Sequence, residues 1–183
     1  MRLRMTPYAG SLKMLRDSGI ELVEAPDLDR KKPATSLKQT GRSRFHVDLL
    51  VPSRHDTFPT VPIPELKAHA TGLPYLGYLL AESQTAMLAA REGCCAVRVP
   101  LPERFAIHKL IVSQLRVGRD AKSRKDLDQA AVLCAALAEL HPGALEGALA
   151  EVPARAKKYL KTAFRIMGPR LGSHPRAVAE LGI

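Results

Sequence analysis

The sequence predicts an α+β fold, with strands in the first part of the chain and helices after them. Three observations carry this. Residues 44–51, Arg-Phe-His-Val-Asp-Leu-Leu-Val, place Phe45, Val47, Leu49 and Val51 on one face of a strand and His46 and Asp48 on the other. Ala96-Val97-Arg98-Val99 follows Gly93 and is stopped by Pro100 and Pro102, which reads as a further strand. From Glu103 onward, apolar residues recur at helical rather than alternating spacing.

The elements follow in order. Residues 1–26 read as a short helix carrying Leu12 and Leu15, a stop at Gly19, and a strand-like Ile20-Glu21-Leu22-Val23. Residues 27–43 are polar, basic and Pro-containing, and read as a loop. Pro52 and Ser53 end the strand at 44–51. Residues 59–74 hold four prolines and read as irregular. Tyr75 to Leu80 is a second strand candidate, and the Ala-rich 85–91 fits no single template. Helices are expected over 105–117, closed by Gly118, and over 124–140, closed by His141-Pro142-Gly143. In the latter, Leu127, Ala130, Ala131, Cys134, Leu137 and Ala138 form the apolar face. A basic helix spans 152–167 with Pro153 near its start, and a short turn covers 177–181. The expected organisation is a sheet domain over 1–100 and a helical region with a basic tail over 101–183.

Composition bounds the possibilities. The chain has 183 residues, 46% hydrophobic and 25% charged, which is globular and excludes a fully disordered protein. Aromatic residues make up 4% and Trp is absent, so the core rests on Leu, Ala, Val and Ile. The net charge is +10, and two segments carry it. Residues 30–54 hold seven basic residues and one acid, Asp48; residues 152–183 hold seven and one, Glu180. Such blocks are either solvated surface or binding sites for phosphates, with RNA or DNA as candidate partners. Three cysteines without metal-ligand spacing, and no apolar stretch after the charged start, lead us to expect a reduced, cytoplasmic protein. No stretch has the ~20 apolar residues of a membrane helix, so no membrane partner is expected.

Several carboxylates and cations could carry chemistry. Asp48 projects from the polar face of a strand. It is either a solvated surface group or a ligand for a hard cation such as Mg²⁺. Lys109 and Arg116 are seven residues apart and share a helix face, which suits phosphate contact as well as plain solvation. Ser123 and Asp126 have capping-box spacing at a helix start, and Lys125 and Asp128 are spaced to pair at i, i+3. Asp27-Leu28-Asp29 is an Asp-x-Asp with Gly10-Ser11 upstream. It reads as an Asp-rich turn or as a pair of metal ligands.

Taken together, these segments resemble a known family. The order is Arg44 through Pro52, then Val97-Arg98-Val99-Pro100-Leu101-Pro102, then Phe105-Ala106-Ile107-His108-Lys109-Leu110-Ile111, then Lys125-Asp126-Leu127-Asp128-Gln129-Ala130. It looks like the later two thirds of a bacterial nucleotidyltransferase-fold family in the DNA polymerase β-like superfamily. Relatives of that family include the nucleotidyltransferase toxins of abortive-infection type.

The resemblance implies a small mixed sheet followed by a helical part. It also implies metal-dependent transfer of a nucleoside monophosphate from a nucleoside triphosphate to an acceptor, with Mg²⁺ or Mn²⁺ as the cofactor. Asp48 matches a metal-binding, catalytic carboxylate on a strand. Lys109 matches a lysine that contacts the triphosphate, and Arg116 follows it on the same face. Lys125, Asp126 and Asp128 match a Lys-Asp-x-Asp element of the helical half, which makes Lys125 a nucleotide ligand and Asp126 a catalytic candidate. The family pattern also has a Gly-Ser turn, a helix and an Asp-x-Asp strand before this region. The resemblance places the start of this chain after that element, with Asp27 and Asp29 as the substitutes on offer. A degenerate, non-catalytic module that binds nucleic acid or a partner is the alternative.

Overall fold

The computed structural model describes Asp17 and residues 19–25, 32–91, 93–116 and 120–183. Contacts divide the chain into two compact units, Met1–Pro74 and Tyr75–Ile183. The helix expected around Leu12 and Leu15 lies outside the described residues.

The first unit is built of strands: β1 Leu22–Ala25, β2 Ser36–Gln39, β3 His46–Asp48, β4 Leu50–Ser53, β5 Thr60–Ile63 and β6 Ala68–Pro74. β1, β2 and β3 are successive antiparallel neighbours. β4 runs parallel to β6, which is antiparallel to β5, so the arrangement is mixed. Leu49 joins the two groups. Its N–H donates to the Thr35 carbonyl at 2.9 Å, and its carbonyl accepts from the Thr71 N–H at 2.8 Å. The predicted strand is therefore one extended path that pairs with β2 through its first half and with β6 through its second. Its alternation holds: Val47, Leu49 and Val51 are half-buried while His46, Asp48 and Leu50 are exposed. Phe45 departs from it. It precedes β3 at the turn end of the ladder, and it is 48% exposed.

Four expectations are corrected. Pro52 and Ser53, expected to end the strand, continue it as part of β4, in register with Leu73 and Pro74 of β6. The loop expected at 27–43 contains β2. Its Ser-Leu-Lys-Gln offers one buried apolar residue, Leu37, and the strand forms because ladders flank it on both sides. The irregular 59–74 contains β5 and β6. Pro62 is tolerated because β5 is an edge strand, and Pro74 ends β6. The strand expected at 75–80 is a helix, α1 Leu76–Leu80, entered through Tyr75 at φ 59°. A short apolar run without alternation suits a buried helix turn as well as a strand. Here Leu76 and Leu79 face inward while Gly77 and Leu80 are exposed.

The second unit continues with β7 Ser83–Ala90 and β8 Gly93–Pro100, an antiparallel hairpin paired from Ser83↔Pro100 to Ala90↔Gly93. The ladder with β8, rather than the Ala-rich sequence, makes 83–90 a strand. Helices follow: α2 Pro102–Leu115, α3 Asp120–Leu140, α4 Ala144–Ala150, α5 Lys157–Arg170 and α6 Pro175–Leu181. The predicted apolar face of α3 is buried at Leu127, Ala130, Cys134, Leu137 and Ala138. It packs in one core with Ile107, Leu110 and Ile111 of α2 and with Leu160, Ala163 and Met167 of α5. α4 buries Leu145 and Ala148 in that core and packs Leu149 against it, too little apolar periodicity to be seen in sequence. After Pro153, a single 3₁₀ turn at Ala154–Ala156 precedes α5. Among the described residues, no single helix is long and apolar enough to cross a membrane.

A buried cation ties this unit together. Arg104, at the start of α2, is 4% exposed. It donates to the Tyr78 carbonyl at 3.1 Å, to Glu82 at 3.0 Å and to Glu151 at 3.1 Å, so it links the ends of α1 and α4 to α2. Burial disfavours its charge, but the bonds to Glu151 and Glu82 outweigh that and raise its pKa above the usual arginine value. Tyr78 in turn donates its hydroxyl to the Ala148 carbonyl at 2.8 Å.

Two predictions follow from this packing. A Cβ added at Gly72 would stand 2.8 Å from Pro59 Cγ, where the Gly72 N–H bonds the Pro59 carbonyl at 2.7 Å. Gly72→Ala should therefore cost about 1–3 kcal/mol, measured by urea unfolding. The Cys134 thiol is pushed up to about 12, first by burial and then by the charge of Glu180, whereas Cys94 and Cys95 are exposed. Iodoacetamide at neutral pH should label Cys94 and Cys95 in the native protein and reach Cys134 only after unfolding, as read by mass spectrometry.

Candidate active site

Asp48 is placed by cross-strand register. Ser36 of β2 stands opposite both Ala25 of β1 and Asp48 of β3, so the three side chains form one row on one face. The Ser36 hydroxyl donates to Asp48 Oδ1 at 2.6 Å, and His46 Nε2 lies 3.7 Å from Oδ2. The other His46 nitrogen, Nδ1, is 3.2 Å from the Arg44 carbonyl oxygen. The Asp48 side chain is half exposed. Its hard oxygens suit Mg²⁺ or Mn²⁺ in kind, but one carboxylate does not make a site for either ion. Among the described residues, no group of three or more His, Cys, Asp or Glu is disposed to hold a metal. Asp27 and Asp29 lie outside the described residues. In sequence they follow Ala25, the β1 member of the Asp48 row.

The second cluster belongs to the helical unit. α3 begins at Asp120, so Ser123 and Asp126 do not open it as a capping box. Ser123 instead donates its hydroxyl to the Ser113 carbonyl at 2.8 Å, which fastens the first turn of α3 to the last turn of α2. Asp126, 4% exposed, faces α2. Lys109 Nζ meets its Oδ1 at 2.7 Å, and Arg116 Nε meets its Oδ2 at 2.7 Å. The arginine contact is an ion pair without hydrogen-bond alignment, since neither atom of that pair has a well-directed partner. Lys109 and Arg116 do share a face, as their spacing predicts, and that face is turned toward α3. Each side chain still keeps about a fifth of its surface in solvent, 20% and 22%. Two cations against one carboxylate leave an excess positive charge at the surface.

A groove of about 710 Å³ opens beside this cluster. Phe105 of α2, whose ring centroid lies 5.2 Å from Lys109 Nζ, forms one wall. The outer face of α3 forms the other through Arg124, Lys125, Gln129 and Val132. Asp128 also lines it, and it pairs with Arg170 at 3.2 Å rather than with Lys125. Among the described residues Lys125 has no ion-pair partner. The groove thus offers an aromatic ring and an aliphatic floor for a flat group, an amide for hydrogen bonding, and cations for phosphates.

The structure brings Lys109, Arg116 and Asp126 together, and it places Lys125 on the neighbouring wall of the groove. Asp48 belongs to the other unit. The sequence reading did not single out Phe105 or Arg124. The i, i+4 spacing of Phe105 and Lys109 was the signal available for Phe105.

These environments separate the two aspartates by stability. Asp126→Asn leaves two half-shielded cations facing a neutral amide and should cost about 2 kcal/mol in urea unfolding. Asp48→Ala removes an exposed group and should change stability by less than about 0.5 kcal/mol.

Comparison with known proteins adds the family. No curated protein and no solved structure matches the chain. The sequence model of a family described as Nucleotidyltransferase matches residues 1–154, which include every site residue discussed above except Arg170. With most of its 183 residues inside that match, the chain belongs to the nucleotidyltransferase family.

Proposed function

We propose that this protein transfers a nucleoside monophosphate from a nucleoside triphosphate to an acceptor, as a member of the DNA polymerase β-like superfamily akin to nucleotidyltransferase toxins. In such a transfer an acceptor oxygen forms a bond to the α-phosphorus. The bond to the pyrophosphate oxygen breaks, pyrophosphate leaves, and the acceptor proton passes to solvent. Positioning and charge neutralisation supply most of the rate. The observation that carries the reading is the pair of cations held on Asp126 beside an aromatic-walled groove.

Lys109 and Arg116 would neutralise charge on the triphosphate, and Lys125 would meet it from the α3 wall. Asp126, with both oxygens engaged, acts as a positioning residue that fixes the two cations. Phe105 would stack on the base. Asp48 is the carboxylate we assign to Mg²⁺ or Mn²⁺, which would supply Lewis-acid activation when bound. Asp27 and Asp29 are the further ligands that the sequence offers.

A second reading is favoured by Asp48, which among the described residues belongs to no group of three or more metal-ligating side chains: a non-catalytic module that keeps the fold and binds nucleotide or nucleic acid without transfer. Calorimetry with ATP, CTP, GTP and UTP, with and without Mg²⁺, separates the two. The transferase reading expects binding that requires Mg²⁺, is lost in Asp48→Ala, and weakens roughly tenfold in Lys125→Ala without loss of stability. Binding that ignores Mg²⁺ and Asp48 would support the module. No nucleotide binding under any condition would refute the transferase reading.

A further inference from the structure

All seven basic residues of the C-terminal segment lie beyond residue 154, outside the family match. Three of them, Lys157, Lys161 and Arg165, recur every four residues on α5 and are exposed. Each step of four residues rises about 6 Å and turns slightly more than once around the helix, so the three form a gently slanting row. Among the described residues none of the three has an ion-pair partner. The acids that flank the row are engaged elsewhere: Glu151 holds Arg104, and Glu180 accepts from the Gly143 and Leu145 N–H groups at 2.9 and 3.2 Å. α5 itself contains no acid.

Beside the row runs an apolar groove of about 330 Å³. Leu149, Val152 and Leu160 line it with Phe164, and Lys157 and Lys161 stand on its rim. Cations at regular spacing next to an aromatic surface are what a single nucleic-acid strand requires, with phosphates on the cations and bases against the ring. A membrane is the poorer partner. An interfacial helix inserts its apolar face, whereas Leu160, Ala163 and Met167 are already buried in the core.

We propose that the outer face of α5 is a binding site for a single strand of nucleic acid, held by Lys157, Lys161 and Arg165 with Phe164 beside them. This surface does not depend on the transferase reading. Its test is direct binding of fluorescein-labelled 20-mers of oligo(dT) and oligo(U), followed by anisotropy across a salt series. Lys157→Glu/Lys161→Glu/Arg165→Glu should weaken binding at least tenfold and flatten the log–log salt slope by about 2, as expected for three lost phosphate contacts on a single strand.

Lys67→Glu/Arg91→Glu/Lys122→Glu, at exposed cations outside both basic segments, makes the same change in net charge and should keep the affinity within about threefold, by the general salt and charge argument. Far-UV circular dichroism and melting establish that both variants are folded, and a Lys157→Gln/Lys161→Gln/Arg165→Gln variant replaces the first if it is not. Mg²⁺-dependent nucleotide binding should survive in the α5 variant, which keeps this result independent of the groove beside Asp126. Equal losses in the two triple variants, or none in the α5 variant, would overturn the proposal. Competition by vesicles of 4:1 phosphatidylcholine and phosphatidylserine would do the same and point to a membrane surface.

Discussion

Removing a carboxylate from water costs several kcal/mol unless cations and hydrogen bonds meet it. Asp126 imposes that condition on the helical unit. It lies on the face of α3 next to Leu127, where the helix enters the core, and α2 answers it with Lys109 from its middle and Arg116 from its end. The pairing fixes the rotation of α2 against α3, because only one face of α2 carries both cations. It also settles where Phe105 stands, one turn before Lys109, and therefore where the groove opens. The electrostatics and the candidate site both follow from this carboxylate. An apolar residue in its place could pack α2 on α3 equally well, but it would not hold two positive charges at a surface where an anion can reach them.

Arg104 solves the opposite problem at the other end of α2. A buried cation must collect acceptors, and it takes them from a backbone carbonyl and from two half-exposed glutamates. These acceptors come from segments far apart in sequence, so the arginine gathers α1, the start of β7 and the end of α4 around one helix terminus. α2 is thus anchored by charge at both ends, with Ile107, Leu110 and Ile111 providing the apolar contact between.

The legible parts of the sequence were those in which one face of one element met one environment. The alternation within 46–51 and the apolar stripe of α3 both qualified, and both were readable. β2 was not, because a central strand with one buried side chain takes its stability from its neighbours' backbones. α1 was not, because five apolar residues in a row have no period to read. At the site, the spacing of Lys109 and Arg116 correctly put them on one face, but nothing local says what that face meets. Ser123 and Asp126 had the spacing of a cap, and a tertiary partner in α2 took each of them instead. Local patterns describe an element, whereas a buried charge is answered from another element, and that answer was out of reach.

The shared rung at Leu49 restricts how this part of the chain can vary in length. One residue gained or lost there could leave both ladders paired only if half of the strand turned over. That would drive Asp48 into the interior or Val51 out to solvent. Side chains along 46–53 can be exchanged singly, but insertions and deletions cannot be absorbed. Length variation in the first unit is therefore channelled into its turns, such as 40–45 and 54–59, and the row of Ala25, Ser36 and Asp48 stays in step with β6 through any such change.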